Sequence, residues 1–172
     1  MQQRDDNRRL ALSSIFMALG TVLWVVEELI PKPMPWMKPG LANCATLLAM
    51  FTVGPLEAII VAVGRVFLGS LLLGRIGSPG FIISLSASIT SAVMMIAVRY
   101  SKIRFSIFGV SIFGAIAHSL TQLLIAGMMI HNLSITSSLL PLVLLPSIPS
   151  GIIVAFIVML VLSRTNIRSI EI

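Results

Sequence analysis

Residues 41–69 read LANCATLLAMFTVGPLEAIIVAVGRVFLG. An apolar run of about 13 residues, 41–53, stops at Gly54-Pro55, and a second run, 56–73, starts at once and carries Arg65 about ten residues in. A helix that crosses the hydrocarbon core of a bilayer needs about 20 apolar residues. The first run is too short to cross alone. A short segment broken by Gly-Pro can lie at membrane depth only where other protein or a cavity covers it. The rest of the chain must supply that cover.

The composition agrees with a membrane setting. The chain has 172 residues, of which 10% are charged, and a mean hydropathy of +1.05. A soluble domain carries about 25% charged residues, so this chain cannot coat a water-facing surface. Four further apolar runs, 10–30, 81–98, 105–130 and 139–162, bring the total to six. The expected fold class is all-α: a polytopic membrane protein with a six-helix transmembrane bundle. It divides into a cytoplasmic N-terminal tail at 1–9, one transmembrane domain at 10–163 and a cytoplasmic C-terminal tail at 164–172. The N-terminal run, 10–30, is long enough to span and lacks a small-x-small cleavage site, so it reads as a retained helix rather than a signal peptide. Pro141, Pro146 and Pro149 predict a kinked or irregular outer part for the sixth helix.

Orientation follows from lysine and arginine counts near the helix ends. With both termini cytoplasmic, eight basic residues lie inside and three, Lys32, Lys38 and Arg75, lie outside. The net charge of +6 is thus topological, and nucleic acid is not an expected partner. The segment PKPMPWMKPGLAN, residues 31–43, becomes extracellular, with Lys32 and Lys38 against the topological rule. Four prolines lower its ordering cost, and Trp36, Gly40 and Asn43 add an aromatic face, a permissive backbone and an amide. The same residues also suit interfacial anchoring.

Polar residues at membrane depth mark candidate sites. Arg65 is costly there and normally faces a cavity or a partner; the alternative is snorkelling to an interface. Gly69, one turn on, leaves room beside it, and Glu27 or Glu28 is a candidate partner. Ser111, Gly114, His118 and Gln122 share one stripe of the fifth helix, and His118 and Gln122 can point at one ligand. Of Ser84, Ser88 and Ser91 on the fourth helix, only Ser84 is a ligand candidate; serines in such stripes more often pack. Ala11, Ser14 and Ala18 form a small-residue stripe with Thr21 on the first helix. That stripe serves either packing within the bundle or docking of another subunit.

The chemistry-bearing groups are few. The only acidic residues are Asp5, Asp6, Glu27, Glu28, Glu57 and Glu171. There is no aspartate-rich magnesium site and no Walker loop. Two histidines and the single Cys44 make no metal cluster, and no nucleophile–base constellation is visible. The expectation is no catalytic residue, no metal and no cofactor, hence binding or transport rather than an enzyme.

The stretches ELIPKPMPWMKPGLANCATLLAM, GRVFLGSLLLGRIGSPGFIISLSASITS and SIFGAIAHSLTQLLIAG resemble the Gx transporter family, also labelled heptaprenyl diphosphate synthase component I. That family looks like a relative of the substrate-binding S components of energy-coupling factor (ECF) transporters. The resemblance covers nearly the whole chain after the first ten residues. Ser119 departs from it, standing where an asparagine would follow the histidine. The resemblance implies six helices, N-in and C-in, in a bacterial plasma membrane. It implies an outward pocket lidded by residues 31–40, and a small-residue docking face on the first helix. It also implies partners: a small-molecule substrate, a transmembrane coupling subunit and two cytoplasmic ATPases. On that reading Lys32, Trp36, Lys38, Gly40, Asn43, Arg65, Ser84, His118 and Gln122 bind a small, anionic micronutrient or precursor, and Ala11, Ser14 and Ala18 dock the coupling subunit. The alternative is a non-catalytic membrane accessory to isoprenoid or quinone synthesis. A third reading, a secondary transporter or channel, would call for inverted repeats or a midplane acidic residue.

Overall fold

The computed structural model describes residues 2–29 and 40–164. Lys32, Trp36 and Lys38 lie outside the described residues. Among the described residues there are six α-helices and no strand: α1 Gln2–Leu29, α2 Asn43–Thr52, α3 Pro55–Leu72, α4 Pro79–Arg99, α5 Ile107–Met129 and α6 Leu133–Arg164. Five are long and apolar enough to cross a bilayer, and α2 is the exception. The protein is a polytopic helical bundle.

At 10 residues, α2 rises about 15 Å, roughly half of a hydrocarbon core. It is buried along almost its whole length and packs against α1, α3, α4 and α6. This is the cover that residues 41–53 required. Small residues make it feasible. A Cβ at Gly20 of α1 would come within 2.9 Å of the Ala45 Cβ, so the two backbones meet closely. Around α2 lies the main apolar core, including Phe16, Leu47, Leu48, Val61, Met95 and Val158.

Local chemistry sets the helix ends. Ser78 and Ser106 accept hydrogen bonds from the Phe81 and Gly109 amides at 3.2 and 3.3 Å, capping α4 and α5. After α3, Gly74 adopts φ 62°. The Gly74 and Arg75 amides then reach back to the Leu71 and Ser70 carbonyls at 3.1 and 2.8 Å, a Schellman stop.

The sixth helix departs from expectation. It is unbroken through Pro141, Pro146 and Pro149 and begins at Leu133, so its outer part is not irregular. All three prolines lie on the exposed side. The opposite face is tied to α5: Ser111 donates to the Gly151 carbonyl at 2.7 Å, and the Ser119 and Ser147 hydroxyls share a 2.8 Å bond. Neighbouring helices and serine side chains commonly compensate proline in membrane helices.

Polar contacts gather at the two ends. Arg9 pairs with Glu57 at 3.9 Å and Arg99 lies 4.5 Å above the Phe51 ring at the end bearing the termini. Arg75 pairs with Glu28 at 3.3 Å at the other. Between them the outer surface is apolar, with residues such as Leu72 and Leu145 each 72% exposed, as a lipid-facing belt requires.

Removing the α5 cap by Ser106→Ala should lower stability by about 1 kcal/mol, and Ser106→Asp should retain it. Thermal melting in detergent checks both.

Candidate functional site

Arg65 is 2% exposed, midway along α3. It does not snorkel. Its Nη2 donates to Asn43 Oδ1 at 2.7 Å and to Ser88 Oγ at 3.2 Å. One guanidinium therefore joins α2, α3 and α4. The Arg65 Nε is buried with no hydrogen-bond partner among the described residues. The Glu27 carboxylate of α1, also 2% exposed, lies within electrostatic reach of Arg65. It accepts the Ala42 amide at 3.2 Å, which ties the approach to α2 onto α1. Of the two candidate partners, Glu27 lies within electrostatic reach of Arg65, and Glu28 bridges Arg75.

Two glycines shape this region. A Cβ at Gly20 would stand 2.9 Å from Arg65 Cδ, so α1 lets the arginine stem pass. The room expected beside Gly69 is filled: the Trp24 ring of α1 lies directly on it. Gly40 has φ 79°, a conformation other residues adopt with strain, and its carbonyl accepts the Asn43 amide at 3.0 Å. That turn sets Asn43 at the start of α2, facing Arg65.

The serines of α4 divide. Ser91 donates to the Gly114 carbonyl at 2.9 Å, which is packing, as expected. Ser88 corrects the expectation, because it bonds Arg65 instead. Ser91 against Gly114 also fixes the antiparallel register of α4 and α5. One turn outward from that contact, Ser88 comes level with His118. Two turns outward, Ser84 comes level with Gln122. His118, Gln122 and Ser84 are all buried, and Gln122 Nε2 has no hydrogen-bond partner among the described residues. Ser119 faces α6 instead, through Ser147.

Beyond this layer, at the end away from the termini, a cavity of about 460 Å³ opens between α1, α3, α4 and α5. Trp24, Glu28, Ser70, Arg75 and Ser84 line it together with apolar side chains. Of the residues that the sequence singles out for the ligand, Ser84 lines this cavity, whereas Gly40, Asn43, Arg65, His118 and Gln122 are not among its described lining residues; Trp24 and Ser70 line it without having been singled out. Gly69 one turn from Arg65 was the available signal for a bulky neighbour. Ala11, Ser14 and Ala18 are all exposed, while Thr21 is buried. The stripe is therefore not internal packing over its first three members.

The arrangement is that of an all-helical membrane bundle with the fold of a transporter S component. A solved S component of a bacterial ECF transporter is similar to this chain with a TM-score of 0.69 and 23% identity, over 92% of this chain and 95% of that one. Residues 16–161 match the model of the family described as heptaprenyl diphosphate synthase component I, and the chain belongs to that family. Among curated proteins, none matches the sequence significantly.

Replacing Arg65 by Met should cost about 1–3 kcal/mol, because it leaves the buried Asn43 Oδ1 without its donor. Arg65→Met and Glu27→Gln should couple by about 0.5–3 kcal/mol, since Glu27 lies within electrostatic reach of Arg65. A double-mutant cycle of melting temperatures checks the pairing.

Proposed function

We propose that this chain is the substrate-binding membrane subunit of an ECF-type importer. It captures a small, anionic micronutrient or precursor from outside and depends on separate coupling and ATPase subunits. The observation that carries the reading is the placement of a buried polar layer, Asn43–Arg65–Ser88, directly below a 460 Å³ cavity in a bundle of S-component fold. Such a layer is expensive in a membrane, and a ligand site gives it a use. The chain itself acts without catalysis, in a bacterial plasma membrane with both termini cytoplasmic.

The site residues take distinct roles. Ser84 lines the cavity, and Asn43, Arg65, His118 and Gln122 belong to the buried polar layer inward of it. Gly40 is the turn where the lid of residues 31–40 rejoins the bundle. Lys32 and Lys38 of that lid meet the acidic group, and Trp36 covers the ligand. Arg75 is not assigned to the ligand, since Glu28 holds it. Arg65 acts chiefly through the Asn43 side chain that it fixes. Ala11, Ser14 and Ala18 dock the coupling subunit, which their exposure supports.

Mass spectrometry of small molecules extracted from the purified protein should yield one metabolite near one-to-one. Arg65→Gln should lower its retention by roughly 10–100-fold, the worth of a hydrogen bond to a charged group. Unchanged retention would count against the role of Arg65. Ala18→Trp should abolish co-purification of the coupling and ATPase subunits while leaving the melting temperature unchanged. Recovery of a prenyl synthase subunit in their place would move the assignment to an accessory of isoprenoid synthesis.

A further inference from the structure

The cavity volume of about 460 Å³ falls within the range of small-molecule sites, roughly 300–1,000 Å³. Much of its wall is apolar: Trp24, Phe81, Ile83, Ala126, Met129 and Ile130. Glu28 and Arg75 are the charged groups among its described lining residues, and they bridge each other at 3.3 Å. The nearest deeper cation, Arg65, is already engaged by Asn43 and Ser88, with Glu27 in electrostatic reach. The two charges of the described wall therefore offset each other, and its lining is net neutral.

It does have spare neutral polar capacity. Ser70 is 0% exposed, lines the cavity, and its hydroxyl has no hydrogen-bond partner among the described residues. Gln122 is 2% exposed, its Nε2 is in the same state, and it lies one turn inward of the lining residue Ala126. A buried polar group left unsatisfied costs about 1–3 kcal/mol. Ser70 in the wall of this largely apolar cavity, with Gln122 in the buried layer inward of Ala126, is matched by a ligand that brings a hydrogen-bonding atom on an otherwise apolar body.

We infer that this cavity binds the uncharged, ring-bearing part of the ligand. The ring fits against Trp24 and the apolar wall, and a carbonyl-type oxygen accepts from the Ser70 hydroxyl. This deepens the capture reading and rests on it. It gives the substrate a class: an amphipathic ring compound whose acidic group lies outside this cavity. A polyphosphate does not fit, because a net-neutral and largely apolar wall does not replace its hydration.

The test uses a matched pair of probes, 2-naphthamide and 2-naphthoate, which share a ring system and differ in charge. Binding to the full chain in lipid nanodiscs is measured by equilibrium dialysis against empty nanodiscs. The amide should bind saturably and about tenfold or more tighter than the carboxylate, because desolvating an unpaired charge in this wall is costly. Ala126→Phe, which fills the cavity, should abolish amide binding, and Ser70→Ala should weaken it several-fold. Ile83→Phe replaces Ala126→Phe should the latter melt early. Equal or tighter binding of the carboxylate would overturn the inference. So would amide uptake unchanged by the cavity-filling variants. The assay needs this chain alone, so its failure is distinct from failure to recover coupling and ATPase subunits.

Discussion

The Arg65 guanidinium is the contact on which the bundle is organised. Burying a cation at membrane depth is tolerated only where its charge and its donors are met. Here the donors reach α2 through Asn43 and α4 through Ser88. The charge is met from α1 by Glu27, and Gly20 of the same helix leaves space for the stem. Four helices are thereby held in register by one side chain. Such an interaction adds less net stability than it adds specificity, because desolvation consumes much of the gain. Any slip of α2 along its neighbours would withdraw Asn43 and leave the guanidinium unmatched.

The short α2 follows from the same constraint. Its first residue is Asn43, so the helix begins where the arginine is and runs inward from there. It occupies the inner half of the bundle with apolar core. The outer halves of α1, α3, α4 and α5 then have no such helix between them, and the cavity opens among their outer ends. A full-length second helix would fill that space. Truncation of α2 and the existence of a pocket are two views of one packing decision.

Much of this was legible in the sequence, for physical reasons that differ by residue. Gly54-Pro55 and the brevity of residues 41–53 announced a covered helix. Arg65, His118 and Gln122 stood out because polar groups are conspicuous in an apolar chain. Ser88 was misjudged because a serine that packs and a serine that bonds an arginine have the same helical spacing. Ala126, Met129 and Ile130 were invisible, since lipid and an apolar cavity select the same side chains. In a soluble protein, exposure to water would have separated the two. The prolines of α6 misled for a related reason: their cost depends on which neighbours can compensate, and the serines that tie α6 to α5 are distant in sequence.

One helix carries both halves of the proposed work. The inward face of α1 presents Phe16, Gly20, Trp24 and Glu27, all buried. These touch the core, the arginine stem, Gly69 and the Ala42 amide. The stripe of Ala11, Ser14 and Ala18 is exposed, and it is smooth enough for another helix to approach closely. A helix is stiff along its axis, so a partner that shifts or turns α1 at this stripe necessarily displaces Trp24 from the cavity wall and Glu27 from the start of α2. Close packing at Gly20 and Gly69 leaves little slack to absorb such a motion. A rigid rod with small residues at both contacts can therefore link a docking event on one side to the shape of the ligand cavity on the other, without any intervening hinge.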